Sequence, residues 1–167
     1  DLEGKEYFYE YFDPTDPISS TKENPVSHIA YGYATNVVIL DDSGRVKEVH
    51  GAFDSGRVIN PRAIEGQIEG GIVMGLGYSL TEDLRLEDSV IKAKFGTLGL
   101  WKATDIPKIY PISIEKEDLL DIAYGAKGVG EIATIPITPA VQGAYYALDG
   151  IFRTKLPLED TPYSKKK

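Results

Sequence analysis

Between Pro61 and Ser79 the chain repeats an apolar residue every four positions, at Ile64, Ile68, Ile72 and Leu76. That spacing stacks side chains on one face of an α-helix. Gly71 and Gly75, also four apart, run beside the row. A glycine costs a helix roughly 1 kcal/mol against alanine, so two of them on one side ask for a close neighbour, either backbone or ligand. Asn60-Pro61 supplies the start, because Asn is a preferred N-cap and Pro suits the first helical position. The pattern predicts a helix over 61–79. The segment Glu65-Gly66-Gln67-Ile68-Glu69-Gly70-Gly71 lies just inside it. A helix N-terminus with nearby glycines offers free N–H groups to an anion, and the Gln67 amide can both donate and accept. Tight packing through small residues explains the same glycines, and the two readings stay open. The glycine spacing is not that of a dinucleotide fingerprint.

Such a helix needs a sheet or another helix to cover. His28 to Leu40 is β-branched and aromatic with rough alternation and reads as a strand. Asp41-Asp42-Ser43-Gly44 is a turn, and Arg45 to Asp54 returns as the second strand of a hairpin. Residues 80–97 read as a further strand or hairpin around Glu87-Asp88. Ile109 to Glu115 reads as a strand placed near an edge by Pro111. Thr138-Pro139 opens a second helix to Leu148, with Thr138 as cap. The expected fold is α+β, a mixed or antiparallel sheet covered by two or more helices. Residues 1–25 form an aromatic and polar segment (Tyr7, Phe8, Tyr9, Tyr11, Phe12), expected to be poorly ordered alone or to pair with a neighbour. Residues 26–160 form the domain, and 161–167 a basic tail.

A length of 167 residues, 42% of them hydrophobic, suits one domain with a core. The net charge of −8 argues against a nucleic-acid or anionic-membrane partner. With no cysteine, the chain has neither a disulfide framework nor thiolates for an iron–sulfur cluster. No apolar run reaches the roughly 18 residues of a membrane span, and nothing at the start resembles a signal peptide, which points to the cytoplasm. The single methionine is Met74. The chain starts in a polar run at Asp1 and reads as part of a longer protein. His28 and His50 have no partner at metal-ligand spacing and read as structural or surface residues.

The chemistry concentrates at Gly125-Ala126-Lys127-Gly128-Val129-Gly130-Glu131. The glycines let the backbone approach a partner closely, and the run delivers one carboxylate before an apolar stretch. A desolvated carboxylate has a raised pKa and can act as a base near neutral pH. A surface turn with a solvated Glu fits the seven residues as well, and Lys127 faces either a phosphate or solvent.

Three segments in order carry a resemblance. They are Phe53-Asp54-Ser55-Gly56-Arg57-Val58-Ile59-Asn60-Pro61, then Gly66 through Gly77, then Gly125 through Glu131. Together they resemble the C-terminal part of the molybdenum-binding subunit of the xanthine dehydrogenase and aldehyde oxidase family. That family usually reads Asp-Val-Gly-Arg at the first site, where Ser55 here replaces the Val. Asn24 to Thr35, Lys94 to Leu100 and Arg153 to Tyr163 look like its selenium-dependent xanthine dehydrogenase branch.

The resemblance implies a molybdenum hydroxylase of xanthine or purine type. It would hydroxylate a carbon adjacent to nitrogen, or an aldehyde carbon, with oxygen from water. By position Glu131 is the general base, and Gln67, Gly66, Gly70, Lys127, Gly128, Val129 and Gly130 bind the cofactor. The cofactor is molybdopterin or its cytosine dinucleotide, whose dithiolene holds the metal, so no protein ligand to it is expected. Labile selenium follows only from the branch resemblance. The implied partners are the remainder of the molybdenum subunit, iron–sulfur and FAD subunits or domains, and a purine-like substrate, in a homo-oligomer of the complete enzyme. The chain alone is expected to fold but to be inactive and without cofactor. A non-catalytic nucleotide- or pterin-binding module, or an assembly domain, is the alternative.

Overall fold

The structure, a computed structural model, describes residues 3–12, 14–94, 96–116 and 122–164. Strand β1, Ala34–Leu40, pairs antiparallel with β2, Val46–Asp54, and the register slips by a bulge between Ile39 and Leu40. The turn between them is held by Asp41, whose Oδ1 accepts from the Ser43 and Arg45 amides at 2.9 Å each. Helix α1, Pro61–Leu80, and a minimal hairpin of β3, Leu86–Glu87, and β4, Val90–Ile91, then carry the chain across to β5, Lys108–Ile114. This crossover lets β5 lie parallel to β2, with Glu48 opposite Lys108 and Asp54 opposite Ile114. The sheet order β1-β2-β5 leaves β5 at an edge, where Pro111 faces Gly51. The last element is α2, Ile137–Asp149.

Both helices pack on one face of the sheet. Val49 and Phe53 point inward from the central strand and are fully buried. Ile68, Ile72, Leu76 and Leu80 meet them from α1, and Ile137, Val141 and Tyr145 from α2. This is the expected α+β architecture, and of the two sheet types left open, mixed or antiparallel, the sheet is mixed. The neighbour demanded by Gly71 and Gly75 is the chain itself. A Cβ on Gly71 would stand 2.5 Å from the Ala133 Cβ, and one on Gly75 would overlap Ile137 Cγ2. Asn60 caps α1, its Oδ1 accepting from the Ala63 amide at 3.2 Å.

Several expectations need correcting. The first strand begins at Ala34, not His28, and His28 lies exposed with Nδ1 2.8 Å from the Ser27 hydroxyl. Thr138 does not cap α2. The helix starts at Ile137, two residues before the expected Pro139, with Pro136 at the cap position and no side-chain cap. Helix packing has captured the Thr138 hydroxyl, which lies 2.8 Å from the buried Ser79 hydroxyl. The chain after Gly150 is not simply extended. It doubles back, with Arg153 bound to Asp149 at 2.6 Å and the Leu158 amide donating to the Ser79 carbonyl at 2.7 Å. The aromatic residues Tyr7, Phe8, Tyr9 and Phe12 are exposed and in no strand. Asp1, Phe95 and Lys165-Lys166-Lys167 lie outside the described residues. Among the described residues no helix is long and apolar enough to cross a membrane.

Candidate functional site

The glycine-rich run is fastened to the end of the central strand. After Asp54 the chain turns through Gly56 at φ +58°, where a Cβ would overlap the Gly125 carbonyl oxygen, so only glycine permits the approach. The two segments exchange backbone bonds. The Arg57 amide donates to the Gly125 carbonyl at 2.8 Å and the Lys127 amide to the Ser55 carbonyl at 3.1 Å. The Lys127 ammonium donates to Asp54 Oδ2 and to the Tyr31 carbonyl, both at 2.8 Å. The side chains of Lys127 and Asp54 are 3% and 4% exposed. Burial pushes the Asp54 carboxyl up, but the Lys127 ammonium with the Gly56 and Lys116 amides outweighs it and holds the group below the ordinary carboxylate range. The sequence left Lys127 facing either a phosphate or solvent; the structure shows neither, because its charge is spent inside the protein on Asp54 and the Tyr31 carbonyl.

Beyond this anchor the backbone is bare. The amides of Gly128, Val129, Gly130 and Glu131 meet no acceptor among the described residues. A Cβ built on Gly128 or Gly130 would touch nothing within 4 Å, and neither has positive φ. Neither packing nor backbone conformation accounts for these two glycines. On α1 the same holds for Gly66 and Gly70. Gln67 joins the elements, its Nε2 donating to the Gly130 carbonyl at 2.7 Å.

The helix and the run enclose an open cleft of about 510 Å³. Gln67 and Gly70 line one side, Gly130 and Glu131 the other, and Tyr78 and Ile135 add an apolar wall. Gly66 and Gly70 also border a second cleft of about 410 Å³ across α1, next to Glu69 and Ile106. Lys127, Gly128 and Val129 line neither. Glu131 is exposed rather than desolvated. The turn at 132–136 sends Ala133 and Ile137 into the core, and the residue preceding it is left at the cleft mouth. No cluster of three or more His, Cys, Asp or Glu able to hold a metal occurs among the described residues.

Sequence reasoning overlooked Asp54. It stands in the first of the three motifs, 73 positions from Lys127, and only the sheet that ends beside the run brings the two together. The available signal was the isolated acid following a strand and preceding Ser-Gly.

Residues 1–107 match the family model described as "Molybdopterin cofactor-binding domain". Over 146 residues the chain is 34% identical to a probable xanthine dehydrogenase subunit of Bacillus subtilis (strain 168), covering 83% of this chain and 20% of that protein. Among solved structures, quinoline 2-oxidoreductase from Pseudomonas putida 86 superposes with a TM-score of 0.56 at 32% identity, over 64% of this chain and 14% of the other. Reconstituted CO dehydrogenase from Oligotropha carboxidovorans superposes with a TM-score of 0.64 at 25% identity, over 79% and 18%. The chain thus spans about a fifth or less of the length of these relatives.

Proposed function

The chain belongs to the molybdopterin cofactor-binding family, and on that premise we propose that it forms part of the active-site wall of a molybdenum hydroxylase, with Glu131 as general base. The observation that carries the proposal is the cleft in which Gln67, Gly70, Gly130 and Glu131 meet.

The cleft fits the cofactor that membership implies. Gly130 and Glu131 bring to the cleft amides that meet no acceptor among the described residues, with those of Gly128 and Val129 leading up to it, and Gly70 and Gly130 leave open space in its lining where any other residue would place a Cβ. Successive free N–H groups suit the oxygen atoms of a pterin or its phosphate. Gln67 would hold the group from the helix side, keeping its oxygen free to accept while Nε2 donates to Gly130. When bound, the cofactor supplies the molybdenum centre at which oxygen from water reaches a carbon. The protein's contribution is to orient that group with backbone donors and to accept a proton at the Glu131 carboxylate, whose exposure at the cleft mouth leaves a path for proton exchange with water.

We assign the cofactor-binding unit to residues 26–160, the substrate to a purine-like ring, and the partners to the rest of the molybdenum subunit with iron–sulfur and FAD subunits. Selenium rests only on the branch-like segments. The test is Glu131→Gln in the holoenzyme. Turnover is expected to fall by about 10²–10⁴, the usual range for a general base, with molybdenum and pterin content unchanged. Turnover surviving within about tenfold refutes the base assignment, and loss of the metal assigns Glu131 to cofactor binding instead.

A further inference from the structure

We propose that the buried Asp54–Lys127 pair is a positioning device, setting where the free amides of Gly130 and Glu131 and the Glu131 carboxylate stand against the cleft. The inference rests on the proposed function for the identity of what occupies the cleft.

Past Lys127 the run has few anchors. Among the described residues, Gly128 to Glu131 is held through the Gln67 bond to the Gly130 carbonyl and the turn that follows. The approach from the other side is strained. Ala123, Tyr124 and Gly125 are three successive left-handed residues, at φ 51°, 55° and 79°. Non-glycine residues persist there only where the surroundings over-determine them. Lys127 provides that constraint, with its ammonium on two acceptors and its amide on a third. Asp54 ends the central strand, which is paired on both sides, and its other oxygen accepts from the Gly56 amide at 3.2 Å.

A buried ion pair is a poor stabiliser, because an apolar pair of similar volume often does as well. An apolar pair is not directional. A primary ammonium with two acceptors at 2.8 Å fixes both the distance and the direction from strand to loop. Asp54 and Lys127 line neither cleft, so they act through the backbone they hold.

The experiment uses the holoenzyme with the double substitution Asp54→Asn and Lys127→Met, which removes both charges and leaves neither buried alone. Melting temperature, amide exchange at Arg57 and position 127, and the rate of molybdenum loss on dialysis are measured together. The expected result is a melting temperature within a few degrees of the parent, exchange at those amides faster by roughly tenfold as the loop–strand contact opens locally, and molybdenum loss faster by about 10–100-fold, the range for residues that orient a metal site from outside it. The double substitution Asp54→Asn and Lys127→Gln likewise leaves no charge buried alone; it gives the same ordering and serves if the first double variant does not fold. Unchanged exchange overturns the inference, as does faster exchange with undisturbed molybdenum retention. Failure of the functional reading looks different: Glu131→Gln then turns over normally while the double variant still opens the loop.

Discussion

Two substitutions of the same chemical kind in one helix should have opposite effects on stability. Gly70 and Gly75 both lie within α1, and replacing either with alanine gains about 1 kcal/mol of helix propensity. At Gly70 a Cβ meets nothing within 4 Å, so that gain is kept. At Gly75 the new methyl overlaps Ile137 Cγ2 and lies 3.2 Å from the Thr134 carbonyl oxygen. Ile137 cannot simply turn away, because it is fully buried and β-branched at the start of α2. Overpacking of this kind costs about 1–3 kcal/mol. With backbone as one of the obstacles the upper end applies, for a net loss of about 2 kcal/mol. At about 2–4 °C per kcal/mol for a domain of this size, Gly75→Ala should lower the melting temperature by about 4–8 °C. Gly70→Ala should raise it by about 2–4 °C. Thermal unfolding followed by circular dichroism reads both. A Gly75→Ala protein as stable as the parent, or a Gly70→Ala protein that loses as much, would refute the packing account. In the holoenzyme the order should invert for the cofactor: the Gly70 methyl projects into the cleft, so the more stable variant should retain less molybdenum. Stability and retention rising together would remove Gly70 from the binding surface.

Tyr145→Phe removes a buried hydroxyl that donates to the Gly44 carbonyl at 2.7 Å and should cost about 1–3 kcal/mol, measured by urea unfolding. Burial, with Tyr163 nearby, holds the Tyr145 hydroxyl well above its ordinary value. Its contribution is therefore complete below about pH 10 and lost as pH rises beyond that, so the phenylalanine variant should show a flatter alkaline limb. Asp54, held below the ordinary range, contributes stability that is present above about pH 4 and lost as pH falls through its folded value. Asp54→Asn should flatten the acid limb, and an unchanged acid transition would exclude the pair from it. Asn60→Ala removes the cap on the Ala63 amide and should cost about 1 kcal/mol, read as a melting-temperature loss; no change would show that water replaces the cap.

Much of the fold was legible because it rests on local periodicity. The four-residue recurrence of Ile64, Ile68, Ile72 and Leu76 defined α1, and Asn60-Pro61 placed its start correctly. The Asp41–Gly44 turn located the hairpin, since its geometry depends on side chains within four positions. The misreadings involve contacts made elsewhere in the chain. Thr138 has the chemistry of a cap, yet its hydroxyl lies against Ser79 in the helix interface. His28 to Tyr33 has strand-like residues, but the ladder begins only at Ala34.

The candidate site divides in the same way. From the sequence alone came the residue types of the site: a bifunctional amide in the first turns of a helix, a bare glycine run and one carboxylate, all set by composition over a few neighbours. Tertiary structure alone decided their roles. It filled the space beside Gly71 and Gly75 with Ala133 and Ile137 and left Gly66, Gly70, Gly128 and Gly130 open. It withdrew Lys127 into an ion pair with Asp54 and left Glu131 exposed at a cleft. The reason is geometric. Whether a glycine is bare, a cation free or a carboxylate desolvated depends on what lies across the gap, and here that is a residue distant in sequence, Ala133 or Ile137 beside the helix glycines and Asp54 beside Lys127, brought close by the sheet and helix packing.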